Sequence, residues 1–315
     1  MVLNPPARHP FLFYLWFEYM VPKALKKTGA GLFLSTDGYL SLNTQVPSIP
    51  VIHDLNFEHY PEHLPFLVRK YYKHYFPKFA RRASRIATVS DFSKTDIAEY
   101  YKIDPNKIDV VYNGANETYH PISPGEMDLT RQKYAGGGPY FLFIGSLLPR
   151  KNIANLLLAF DIFKRENLNP VKLLIIGEKR RWADKINNAY NGMKHKKDVI
   201  FKGQTAPDEL KMIIPSALAM VYVSFFEGFG IPIIEAMRSG TPVITSDVSC
   251  MPEIAGNAAM LTDPFSPKAI AECMKKISAD NGIRKSLMEK GLSRAKDFSW
   301  DITANKLWDC ILKTQ

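Results

Sequence analysis

Cysteine is scarce in this sequence: Cys250, Cys273 and Cys310 are the only three in 315 residues, an odd number, all towards the C-terminal end. They form no C-x-x-C pair and stand at no histidine spacing suited to zinc, which excludes a disulfide-stapled scaffold and the usual structural zinc sites. Reduced, buried thiols of a cytoplasmic protein are expected. Long apolar runs are missing as well. The longest near the start, Phe11 to Val21, is broken by Glu18 and falls well short of the roughly 20 residues a membrane-spanning helix needs. It has neither the basic n-region nor the small-residue cleavage site of a signal peptide. Acids are outnumbered, 31 against 41 basic residues. The resulting net charge of +10 points to an anionic partner: nucleic acid, an acidic membrane surface or a phosphorylated small molecule.

What is present is ordinary globular composition, 46% hydrophobic and 23% charged, in a chain long enough for two domains of roughly 100–200 residues each. The second half alternates strand-like and helical patterns. Strands are expected at Tyr140–Gly145, Val171–Ile176, Asp198–Lys202, Ala219–Ser224 and Pro242–Ser246, with helices around Ile153–Phe163, Ala183–Met193, Asp208–Ile214, Ile231–Arg238 and Pro267–Ile277. The first half repeats this less completely, with strands near Leu32–Ser35, Val51–His53, Ile86–Ser90 and Ile108–Tyr112, and helices near Phe66–Ala83 and Phe92–Tyr101. Such alternation implies parallel sheets covered on both faces, hence two Rossmann-like α/β domains. The polar stretch from Asn113 to Gly138, with its prolines and glycine run, reads as the linker between domains 1–118 and 119–299.

Seven Lys/Arg and no acid fall between Val68 and Arg85, while Tyr71, Tyr72, Tyr75, Phe76 and Phe79 recur at helical spacing. This is an amphipathic helix with a basic face, with a kink expected at Pro77. A solvated face on a core helix and docking of 68–85 on an anionic membrane surface weigh equally. Nucleic acid is not expected as a partner, because no recognition motif accompanies the charge.

The segment Ser224 to Glu235 follows a buried strand and opens a helix, with Pro232 in the first turn. Backbone N–H groups and the positive end of a helix dipole suit an anion such as a diphosphate there. Glu227 stands at the carboxyl end of the strand; Glu235, about a turn into the helix, leans back towards the loop. Gly145 to Asn152 is a second strand-to-helix turn, in which Arg150 and Lys151 can neutralise phosphate oxygens. His53, at the end of Val51-Ile52-His53-Asp54, is a third candidate. Taken singly, each has a plain structural explanation.

Together, E-G-F-G-I-P-I-I-E, the following E-A-M-R-S-G-T-P-V-I-T-S-D, G-S-L-L-P-R-K-N, V-I-H-D, T-V-S-D-F-S, V-V-Y-N-G and F-S-W resemble, in order, the retaining family-4 glycosyltransferases, in their polysaccharide mannosyltransferase-like branch. The resemblance runs from about Pro10 and implies the GT-B fold: two Rossmann-like, doubly wound parallel-sheet domains facing a cleft, with the 300–315 helix packing back on the first. It implies that Glu235 binds ribose hydroxyls and Glu227 the donor sugar. Arg150 and Lys151, with Ser146 and the amides of Gly228, Phe229, Gly230 and Ile231, would hold the diphosphate, and His53 would approach the sugar and the acceptor. No metal or other cofactor is implied; the partners are a nucleotide-sugar donor and a glycan or lipid-linked acceptor. Many relatives carry Arg where Ser146 stands, and Arg150 takes that part in the P-R-K-N branch.

The implied function is transfer of a hexose, mannose by branch, with retention of configuration, in cell-surface polysaccharide synthesis. Another GT-B sugar-nucleotide enzyme such as an epimerase, or a truncated, inactive sugar-nucleotide-binding protein, are the alternatives. The family's opening strand, glycine-rich turn and helix are not found, since no strand precedes Gly29-Ala30-Gly31. The first domain is therefore expected to be incomplete, with Met1 an internal methionine of a longer protein that transfers poorly in this form. Its small sheet should leave apolar surface bare or be crossed by Phe11–Val21. The protein is expected in the cytoplasm, with the inner face of the membrane as a second location.

Overall fold

The structure, a computed structural model, describes residues 9–166, 170–178 and 184–314. Met1 and the expected helix start at Ala183 lie outside them. The chain divides into two compact units, 1–113 with 301–315, and 114–300.

The first unit holds strands β1 (Phe33–Ser35), β2 (Ser48–Ile52), β3 (Ile86–Thr88) and β4 (Ile108–Val110), all parallel and adjacent in chain order among the described residues. β2 begins before the expected Val51. Pro50 reads as strand punctuation, yet it lies within β2 beside Ser35. The sheet is covered on one side by the helix Phe66–Arg82, which buries Tyr71, Phe76, Phe79 and Ala80 and runs through Pro77 without interruption.

Residues 10–28 are helical, with a wide π turn at Trp16–Met20 between Pro10–Leu15 and Val21–Thr28. Phe17 stacks on Tyr39 at 5.0 Å, and Phe13 meets Tyr39 and Tyr71, each at 5.6 Å. The stretch Phe11–Val21 thus packs by its aromatic side chains on the helix Phe66–Arg82 and the turn before β2. The buried Glu18 carboxylate accepts the Leu42 and Asn43 N–H groups at 3.0 Å, which satisfies the one charge in this apolar stretch. Gly29 takes a left-handed φ of +63° at the C-cap of Val21–Thr28. It closes a helix, the position where glycine's freedom is most used, rather than opening a phosphate loop. The helix Trp300–Leu312 returns to this unit: Thr303 donates to Tyr112 O at 2.7 Å, and Cys310 is buried beside Ile49, Ala87 and Val111. Of the cysteines, Cys250 and Cys310 are buried, but Cys273 is only half-buried.

The second unit holds β5 (Tyr140–Ile144), β6 (Lys172–Ile176), β7 (Val199–Gly203), β8 (Ala219–Tyr222), β9 (Val243–Ser246) and β10 (Met260–Thr262). They form one parallel sheet in the order β10-β9-β8-β5-β6-β7. β5 and β8 are buried along nearly their whole length, which explains why they read as continuous apolar runs. The helix Ile153–Glu166 packs Ile153, Leu156, Leu157, Phe160 and Phe163 inward at helical spacing.

Several elements were not expected, among them the helices Met251–Ala255 and Asn281–Arg294. The presumed linker contains the helix Pro124–Ala135, started by a capping box in which Ser123 and Glu126 satisfy each other's backbone N–H groups. Only Thr130 and Ala135 of it are buried, so it carries no apolar stripe to read. β10 is also additional, and three residues are too few for a periodicity.

The strand order decides where ligands can bind. From β5 the chain steps outward to β6 and β7, whereas β8 starts again on the other side of β5. The loops leaving β5 and β8 therefore diverge, opening a crevice at the carboxyl ends of these central strands.

Candidate active site

Both glycine-bearing motifs arrive at that crevice. After β5, Pro149–Lys151 forms a single 3-10 turn and Asn152 adopts φ +61°. Asn152 is held there because its side-chain amide donates to Val223 O at 2.9 Å and Pro264 O at 2.7 Å. Phe225 N–H donates to Arg150 O at 2.9 Å, which ties the two loops together. After β8 the chain runs through Glu227 to Gly230, whose φ of +94° turns it into the helix Ile231–Arg238. Pro232 has no N–H, and Ile233 N–H turns back to Gly230 O at 2.9 Å. This leaves the Gly230 and Ile231 amides as the hydrogen-bond donors at the helix start.

Arg150, Lys151 and Glu227 meet. Arg150 Nη1 lies 2.8 Å from Glu227 Oε2, and Lys151 Nζ lies 2.5 Å from Oε1. Arg150 also donates to Phe226 O at 3.1 Å. Glu227 is 6% exposed and Lys151 9%, so these are desolvated ion pairs. Burial alone would push the Glu227 carboxyl up; the Lys151 and Arg150 charges outweigh it and hold the group below the usual carboxylate range.

Two residues not singled out in the sequence complete the cluster. The buried Tyr222 hydroxyl lies 3.1 Å from Glu227 Oε1 and 2.5 Å from Lys151 Nζ. Burial, and then the neighbouring Glu227 charge, raises the Tyr222 phenol well above its ordinary value, so it stays protonated. Ser249, at φ +60°, accepts Glu227 N–H at 3.0 Å and donates to Glu227 O at 2.7 Å. A polar-ended residue closing an apolar strand was a readable signal for Tyr222. Nothing local marks Ser249.

Glu235 is separate from this cluster. It is half-buried, and among the described residues no hydrogen bond or ion pair reaches its carboxylate; burial pushes it up to about 7. Ser146 is exposed at the rim of the β5 loop. Gly228 and Phe229 are buried in the β8 loop, and the Phe229 carbonyl accepts the Cys250 thiol at 3.2 Å. His53 lies in the first unit, exposed, with Nε2 2.9 Å from Thr36 O. It borders a cavity of about 870 Å³ that Phe13, Trp16, Tyr39 and Tyr72 also line.

A buried carboxylate held by two cations, ahead of a helix that carries a second carboxylate of raised pKa, can bind a polyanion with a hydroxyl-rich group on either side. Comparisons with known proteins identify the family. Residues 128–294 match the family "Glycosyl transferases group 1", and residues 2–119 match "Glycosyltransferase Family 4". The O-antigen chain mannosyltransferase B of Escherichia coli is 32% identical over 262 residues, which is 81% of this chain and 67% of that protein. The O-antigen chain mannosyltransferase RfbU of Salmonella typhimurium is 30% identical over 268 residues, 85% of this chain and 71% of that one. Among solved structures, Anabaena Alr3699/HepE in complex with UDP-glucose superposes with a TM-score of 0.76 at 17% identity, covering 92% of this chain and 81% of that one. With both units matched in sequence and two parallel-sheet α/β units of the GT-B kind in structure, the chain belongs to the group 1 glycosyltransferases.

Proposed function

We propose that the second unit binds a nucleoside-diphosphate sugar and that the enzyme transfers its hexose, as mannose, to a glycan or lipid-linked acceptor in cell-surface polysaccharide synthesis, with retention of configuration. The observation that carries this is the Arg150–Lys151–Glu227 cluster at the topological switch point. Departure of a nucleoside diphosphate develops negative charge, and preorganised cations and amides stabilise it where water is excluded. Arg150 and Lys151 supply the cations; Gly230 and Ile231 supply N–H groups, with Ser146, Gly228 and Phe229 around them. Glu235 takes the ribose hydroxyls, Glu227 the hexose, and His53 the acceptor side. The mannosyl and polysaccharide parts are supported by the names of the Escherichia coli and Salmonella relatives, and the nucleotide-sugar donor by the UDP-glucose in the Anabaena structure. With two protein cations at the leaving group, transfer is expected to proceed in EDTA.

The acceptor chemistry fits a membrane-surface location on the cytoplasmic side. No helix among the described residues is long and apolar enough to cross a membrane. Lys70, Lys73, Lys78 and Arg81 are exposed on Phe66–Arg82, whose first residues, Phe66 and Leu67, are more than half exposed at 56% and 52%. Basic side chains beside bare apolar ones suit an anionic bilayer surface.

The test is transfer of labelled hexose from GDP-mannose and UDP-glucose to lipid-linked and free glycans, with and without EDTA, and NMR assignment of the new linkage. An α-linked mannosyl product supports the whole reading. Nucleotide binding without transfer to any acceptor would reduce it to a binding protein, and sugar interconversion without acceptor to an epimerase.

A further inference from the structure

Arg150 and Lys151 are assigned above to the diphosphate, yet both already have an internal counter-ion. Glu227 takes Arg150 on one carboxylate oxygen at 2.8 Å and Lys151 on the other at 2.5 Å, with all three side chains at most 16% exposed. A diphosphate entering here meets two cations neutralised by a buried carboxylate. Phosphate and carboxylate oxygens sharing the same two cations would repel strongly where water screens little. The diphosphate therefore exchanges with Glu227 instead of adding to it.

The second observation is what else holds Glu227. An ammonium has hydrogens to donate and nothing to accept with, so the Tyr222 oxygen accepts from Lys151 and its single proton is directed at Glu227 Oε1. The Tyr222 ring is buried and stacked on Phe143 at 6.0 Å, so its hydroxyl cannot follow Lys151 outward. Ser249 fixes the Glu227 backbone from the other side through both its N–H and its carbonyl. Both tethers are neutral and remain when the cations change partner.

We propose that the diphosphate replaces Glu227 as counter-ion of Arg150 and Lys151, and that Tyr222 is the positioning residue that keeps the released carboxylate directed at the sugar. Binding of the leaving group is thereby coupled to freeing the carboxylate for the hexose hydroxyls. This rests on the donor-site reading of the previous subsection.

The experiment is calorimetry of the full chain with UDP and GDP, with kcat and donor KM measured alongside, for wild type, Glu227→Gln and Tyr222→Phe. Glu227→Gln removes the competing anion and is expected to bind the nucleoside diphosphate about tenfold tighter than wild type, though transfer falls. Tyr222→Phe keeps the ring and both cations. It is expected to bind UDP or GDP and the donor within about twofold of wild type while kcat drops about tenfold. Equal or weaker nucleotide binding by Glu227→Gln overturns the exchange, and wild-type kcat in Tyr222→Phe overturns the positioning role. Loss of nucleotide affinity together with kcat in Tyr222→Phe makes its role structural and overturns it as well. Should Glu227→Gln fail to fold, Glu227→Ala, which also removes the competing anion, takes its place for the exchange, and Tyr222→Phe decides the positioning role. A wild type that binds UDP or GDP but transfers nothing sinks the proposed function alone, and the Glu227→Gln affinity still decides the exchange. A wild type that binds neither nucleotide sinks both.

Discussion

Gly177, just after β6, runs so close to Gly145, just after β5, that a Cβ on Gly177 would lie 1.8 Å from the Gly145 carbonyl oxygen. Gly177 also has a φ of +157°, which side chains rarely adopt. The contact fixes how closely the ends of β5 and β6 approach, at the start of the loop that carries Arg150 and Lys151. Gly177→Ala is expected to destabilise the protein by about 3 kcal/mol, from backbone strain and a clash that only backbone movement relieves. Gly203→Ala is the control: its φ is +80°, but nothing lies within 4 Å of a Cβ there. It should cost only about 1–2 kcal/mol and leave activity intact. Urea melts and donor turnover of both variants check this.

Glu235 should make nucleotide affinity depend on pH near neutrality. Its carboxyl is pushed up to about 7 by burial, so it ionises fully only above that. Affinity for UDP or GDP is expected to fall as pH drops from 8 to 6. Glu235→Ala should bind more weakly by roughly 1.5–3 kcal/mol at pH 8, the worth of charge-assisted bonds to ribose hydroxyls. Calorimetry across pH reads both.

The same group should oppose folding at high pH. Its folded pKa lies above the unfolded value, so the folded state binds the extra proton between about pH 4.5 and 7. Stability is complete below that window and is lost as pH rises through it, by about 3 kcal/mol. Glu235→Gln is therefore expected to melt several degrees above wild type at pH 8 and at the same temperature as wild type near pH 4.5. Thermal melts at the two pH values suffice, and equal shifts at both would remove the argument.

Arg150→Ala and Lys151→Ala should each reduce transfer on the order of 10²–10³-fold, as expected for one lost partner of the developing charge. Their stabilities should separate them. Lys151 is the more buried and also bonds Tyr222, so its removal leaves the buried Glu227 with Arg150 as its one remaining cation, at a cost of about 3 kcal/mol. Arg150→Ala should cost less. Paired kinetics and chemical denaturation test this; wild-type turnover in both would make the turn purely structural.

Reversing Lys70, Lys73 and Lys78 to Glu should abolish binding to anionic vesicles. Each basic residue near such a surface contributes about 1 kcal/mol, so losing three lowers the partition coefficient at least about 100-fold. Sedimentation with phosphatidylglycerol vesicles at low and at high salt would read it, and equal binding by wild type to neutral vesicles would contradict the electrostatic account.

Much of this was legible because it is local. Ile231–Arg238 falls on the expected residues, since an apolar face, Pro232 and the preceding glycines act within one turn. The parallel strands other than β10 were found from their apolar runs, with ends shifted by a few residues because strands stop where pairing stops, which a neighbour sets. Pro124–Ala135 was missed for want of an apolar stripe, though its capping box stood in the sequence. The residue types of the site, two cations after β5 and two carboxylates after β8, were likewise determined by the chain itself. That Arg150 and Lys151 close on Glu227, with Tyr222 and Ser249 completing its shell, was decided only by the sheet order. Placing β8 beside β5 brings together residues more than 70 positions apart, and burial between those strands makes their charges answer to one another rather than to water.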